Sequence, residues 1–149
     1  MSLFSRFPFN KDKIEQEIAI LEQQTSAELR VYIERHLPTP GQNISVLDRT
    51  LAVFQELEMD QTQARNAVLI YIAYKDHRCA VIGDLGIHQY VGDEFWQRQY
   101  QQMIVAFAKK HYTEGVVVAI QQIGEELVKH FPIQPNDINE LANEVIIND

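Results

Sequence analysis

The sequence predicts an α/β fold: a three-layer α/β/α sandwich in which a small mixed sheet carries helices on both faces. Three observations point there. The segments Glu28–Glu34 and Ala67–Tyr74 both read as strands, and a helical stripe separates them, as in a parallel βαβ crossover. The second of these segments is almost wholly apolar, as a central strand covered on both faces must be. Amphipathic helical repeats stand before the first strand and after the last, and they supply the covering layers.

In chain order, Asn10 is a good N-cap, and Ile14, Ile18 and Leu21 follow at helical spacing, predicting a helix that stops near Gln24. Leu29, Val31 and Ile33 alternate with Glu28, Arg30, Tyr32 and Glu34, predicting a strand with one clearly apolar face. His36 to Asn43 contains Pro38, Pro40 and Gly41 and reads as a loop. Leu47, Leu51, Phe54 and Leu57 predict the buried stripe of a second helix, with a loop from Met59 to Arg65. After the central strand, Lys75-Asp76-His77 turns the chain, and Arg78 to Ile82 returns antiparallel. Trp96, Tyr100, Met103 and Phe107 predict a third helix whose first turn holds Asp93 and Glu94. Thr113-Glu114-Gly115 separates it from a fourth helix striped by Val116, Ile120, Ile123, Leu127 and Phe131, which Pro132 ends. The domain organisation is therefore an apolar arm at 1–9, a domain at 10–132 and a polar tail at 133–149. One short apolar set in that tail, Leu141, Val145, Ile146 and Ile147, can dock as a short helix or an edge strand, or stay mobile.

The chain of 149 residues suits one core. Its 13 lysines and arginines against 21 acids leave a net charge of −8, which disfavours nucleic acid as a partner. The single cysteine, Cys79, favours a reducing compartment, and the expected location is cytoplasmic. No apolar run approaches spanning length, so no membrane insertion is expected. The apolar arm of Phe4, Phe7, Pro8 and Phe9 can dock on the domain and close the core edge, or dock on a protein partner.

The densest cluster of unusual choices is Ile82-Gly83-Asp84-Leu85-Gly86-Ile87-His88, followed by Asp93-Glu94-Phe95-Trp96. Glycines at a strand end let backbone approach a ligand, and three acids with an imidazole suit a divalent cation. Asp84, His88 and Asp93 are the candidate metal ligands. If the first two strands are parallel and the third returns, Glu28 and Asn66 begin strands at the edge where Gly83 and Asp84 end one. Glu28, Asn66, Gly83 and Gly86 are thus the candidate ligand-binding residues. The same acids also read as caps, with Asp84 closing the loop and Asp93 or Glu94 opening a helix. No Cys-x5-Arg loop, Asp-x-Asp pair, Walker loop or His-Glu-x-x-His occurs. A phosphatase could then only be metal-assisted, through Asp84 and Asp93 with Arg30, Arg65 or Arg78 as phosphate partner. Catalytic residues are not identified.

Thr25-Ser26-Ala27-Glu28-Leu29-Arg30-Val31, Arg65-Asn66-Ala67-Val68-Leu69-Ile70, Gly83-Asp84-Leu85-Gly86-Ile87 and Phe95-Trp96 together, in order and spacing, resemble the TPM domain family over residues 10–132. The resemblance implies an α/β/α sandwich. It also implies calcium binding in loops at one sheet end, acid phosphatase activity, or an auxiliary role. The chain departs from the family pattern at Ala27, where glycine is common, and at His88, which stands near a family glutamate. Losing that carboxylate weakens the calcium inference. The reading is a TPM-like domain binding a ligand, a divalent cation or a protein, with metal-dependent phosphatase as the alternative.

Overall fold

The computed structural model describes residues 7–38, 44–135 and 143–148. Four strands form one sheet in the order β3-β2-β1-β4. β1 (Leu29–Glu34) lies parallel to β2 (Val68–Ala73) and to β4 (Ile146–Asn148), while β3 (Arg78–Gly83) pairs antiparallel with β2. α1 (Lys11–Glu22), α3 (Leu85–Ala108) and α4 (Tyr112–His130) cover one face, burying Ile14, Ile18, Met103 and Ile120 against Val31, Ile33, Val68 and Ile70. α2 (Val46–Glu56) covers the other, packing Val53 and Phe54 on Tyr32, Leu69 and Tyr71. All six residues of β2 are buried, because it is the strand covered on both sides. Phe9 of the N-terminal arm is also buried, between Phe107, Tyr112 and Tyr74. Residues 1–6 of the arm and Leu141 of the tail lie outside the described residues.

Three expectations are corrected. The face of β1 that carries Tyr32 and Glu34 is buried too, because Arg49 of α2 closes over it. Its Nε and Nη2 donate to the two Glu34 carboxylate oxygens at 2.8 and 3.1 Å. That ion pair also sets the rotation of α2. The helix buries Thr50, Val53 and Phe54 and leaves Leu47 and Leu51 exposed, against the predicted stripe.

The third helix begins at Leu85 rather than near Asp93, because Asp84 serves as its N-cap, its carboxylate accepting from Leu85 N at 2.8 Å. Gly86 and His88 are therefore helical rather than loop residues. Gly92, at φ 75° and ψ 174°, interrupts the helix, and Asp93 opens the second part. Finally, α4 starts at Tyr112, so Thr113, Glu114 and Gly115 belong to its first turns, and the chain turns at Lys109–His111 instead.

Candidate functional site

Parallel pairing of β1 with β2, and the return of β3, bring Glu28, Asn66, Gly83 and Asp84 to one edge of the sheet. The backbone knits that edge closely. Val68 N donates to Glu28 O at 2.8 Å, Asp84 N to Ala67 O at 2.9 Å and Gly86 N to Arg65 O at 2.7 Å. Glu28, Asn66 and Asp84 are all buried there. Asn66 is only 1% exposed, and its Oδ1 has no hydrogen-bond partner. Thr62, in the approach to β2, likewise buries an unpartnered Oγ1.

The glycines serve close packing. A Cβ on Gly86 would stand 2.2 Å from Ala64 O and 2.4 Å from Arg65 O, so helix α3 touches the 64–65 backbone directly. A Cβ on Gly83 would meet the Trp96 ring at 2.4 Å.

Asp84 is committed twice. Besides capping α3, it takes a bidentate ion pair from Arg65, Nε to Oδ2 at 2.6 Å and Nη2 to Oδ1 at 2.9 Å. Arg65 reaches it from a left-handed backbone, φ 53°. The carboxylate in turn raises the pKa of the guanidinium further. From the sequence Arg65 reads as a phosphate partner or as a salt-bridging start to the strand, and the structure shows the salt bridge. Its pairing with Asp84 depends on a tight turn that no local pattern announces.

His88 is engaged through both ring nitrogens. Trp96 Nε1–H donates to Nδ1 at 3.0 Å, and Nε2 lies 3.6 Å from Asp93 Oδ1. Indole is a donor only, so Nδ1 is the acceptor nitrogen and neutral His88 carries its proton on Nε2. Metal ligation through Nε2 would require that proton to leave while Nδ1 still accepts, a state neutral imidazole does not have. His88 in this arrangement is a brace for Trp96. The Asp93 side chain is 94% exposed and faces water. Among the described residues, no group of three or more His, Cys, Asp or Glu is placed to hold a metal ion.

A second polar centre lies at the opposite sheet edge, around Glu34. Tyr71 donates its hydroxyl to Glu34, and Asn148 Nδ2 of β4 donates at 3.0 Å. Burial and then Glu34 push the Tyr71 phenol well above its ordinary pKa. Sequence reasoning missed this centre because its members are far apart in the chain. Cys79 is buried mid-strand, and burial pushes its thiol up to about 12, so it is not a nucleophile.

The TPM domain family profile matches residues 3–126, more than half of the chain. This chain belongs to the TPM domain family. The BA42 protein of the psychrophilic bacterium Bizionia argentinensis is 34% identical over 99% of this chain and 100% of its own, with a TM-score of 0.84. The N-terminal domain of a P. gingivalis protein shares the fold at 17% identity, covering 89% of this chain and 83% of its own, with a TM-score of 0.64. An N-terminal domain from Corynebacterium glutamicum does so at 9% identity, 78% and 70% coverage and a TM-score of 0.57. The comparison with curated proteins finds no match. Among the described residues of this TPM domain, no helix is long and apolar enough to cross a membrane.

Proposed function

We propose that this TPM domain is a binding domain whose strand-end site takes a divalent cation through oxygen donors from Glu28, Asn66 and Asp84. One observation carries the reading: Asn66 Oδ1 is buried without a partner at the edge where two buried carboxylates also stand. A buried carbonyl oxygen left unpaired is costly, and a hard cation such as calcium or magnesium takes such an oxygen directly. His88 and Asp93 have no part in this donor set, the first being held by Trp96 and the second standing in water. Arg65 already neutralises Asp84, so the expected affinity is weak, about millimolar. A bound cation would supply positive charge that holds the strand ends to the start of α3.

Thermal melting with calcium, magnesium or manganese tests this. At ten times the dissociation constant the stabilisation is about 1.4 kcal/mol, or roughly 3–5 °C. Asn66→Ala should abolish the shift, and Arg65→Gln should enlarge it by freeing Asp84. No shift with any of the three ions refutes the reading.

The metal-dependent phosphatase reading has one observation in its favour. Arg30 lies on the same face of β1 as Glu28, and its Nε is buried without a partner. The other two arginines do not join it: Arg65 is taken by Asp84, and Arg78 begins β3 at the far edge. Phosphate release from p-nitrophenyl phosphate, lost in Asp84→Ala but not in Arg78→Ala, would support this second reading. Its absence would remove it.

A further inference from the structure

A groove of about 970 Å³ runs between α3 and α4 on residues that the strand-end site does not use. Five glutamines line it, Gln97, Gln99, Gln101, Gln102 and Gln122. Gln102 is anchored, its Nε2 donating to Gly115 O at 2.9 Å. Gln99 is not: it lines the groove, is 2% exposed, and its Oε1 has no partner. A buried amide carbonyl without a donor is what a binding site holds in reserve for a ligand's N–H.

The two helices run antiparallel, since Gly115 packs on Ala106 and Phe107 while His130 stacks on Tyr90. The groove follows both helices, and its wall is mixed, with amides and charged groups beside Phe95, Val105 and Ala106. Glu125 and Glu126 stand at the Phe95 end, Glu126 Oε1 lying 3.5 Å from His130 Nε2 and Arg98 lying over the Phe95 ring. Lys109 and His111 stand at the other end. The α3 steps from Phe95 to Lys109 span about 21 Å, the length of about six extended residues.

The geometry points to an extended peptide of about six residues as the occupant, with its basic end at Glu125 and Glu126 and its acidic end at Lys109 and His111. Neutral amides that both donate and accept match a peptide backbone, which alternates N–H and C=O. Amides interleaved with apolar side chains suit a peptide better than a polyanion, which Glu125 and Glu126 would repel. A sugar would look for an open aromatic face, and Phe95 is only 8% exposed.

The test is a nitrogen-15 NMR titration of the full chain with two end-blocked hexapeptides, Lys-Ala-Ala-Ala-Ala-Glu and Lys-Ala-Ala-Ala-Ala-Lys. The first should shift the side-chain amides of Gln99, Gln102 and Gln122 and bind at least about fivefold tighter than the second, whose far lysine meets Lys109. Gln99→Met keeps the shape and removes the orphaned carbonyl. It should weaken the first peptide at least about fivefold while leaving the melting temperature equal or higher, a combination a merely structural residue does not produce. The surface variant Lys109→Glu should reduce or invert the preference between the two peptides, and it decides the matter if Gln99→Met does not fold. No shift at about 5 mM peptide, equal binding of both peptides, or unchanged binding in the variant that folds would each overturn the proposal.

Discussion

Gly86→Ala sets two expectations of opposite sign against each other. Gly86 is helical, so alanine should gain up to about 1 kcal/mol of helix propensity there. Packing says otherwise. The new Cβ would stand 2.2 Å from Ala64 O, 2.4 Å from Arg65 O and 2.8 Å from Arg65 C. These are backbone atoms and cannot rotate away. To make room, α3 must lift from the turn before β2, which strains the 2.7 Å bond from Gly86 N to Arg65 O and the Arg65–Asp84 ion pair. An overpacked contact against fixed atoms costs about 3 kcal/mol, so the net loss is about 2 kcal/mol. For a chain of this size that is a fall of about 4–8 °C in melting temperature. Urea unfolding followed by circular dichroism measures it, with the slope against denaturant unchanged. An unchanged or raised midpoint would falsify the claim that α3 is seated on the 64–65 backbone.

Three further outcomes follow from the same contacts. His88→Ala leaves the buried Trp96 indole N–H without its acceptor; stability should fall by about 1 kcal/mol, and the emission of Trp96, the single tryptophan, should change in the folded protein. Cys79, with its thiol raised to about 12 by burial, should resist thiol reagents in the native state and react at once in denaturant; fast native labelling would contradict its placement. Glu15 sits below its ordinary value of 4.5, held there by Lys11 Nζ at 2.8 Å and by the N–H of Val145, so its contribution is complete above that value and is lost as pH falls through the lower folded one. Amide exchange in β4 should therefore accelerate only in strongly acid solution, and Glu15→Ala should bring that acceleration to neutral pH.

Much of the fold could be read locally because its signals are periodic and short in range. Ala67 to Tyr74 announced the central strand by being apolar throughout, and Ile14, Ile18 and Leu21 announced α1 by their spacing. The errors came where an isolated polar partner outweighed periodicity. Leu47 and Leu51 looked like the core face of α2, yet the buried pairing of Arg49 with Glu34 turned the helix away from them. Asp84 could be read as a cap or as a ligand, and the N-cap bond to Leu85 shows that capping is one of its roles. The break at Gly92 hid the joining of two helical segments, because a glycine there reads equally well as a loop.

The sequence by itself determined the family, the α/β class and the edge at which Glu28, Asn66 and Asp84 would stand, since strand order and direction follow from the crossover and the hairpin. Only the tertiary structure decided what those residues have to spare. Arg65, nineteen positions from Asp84, neutralises that carboxylate, and Trp96 takes the acceptor nitrogen of His88. Asn66 Oδ1 is left with nothing. Hydrogen-bond capacity is spent between side chains brought together by folding, so it cannot be counted along the chain.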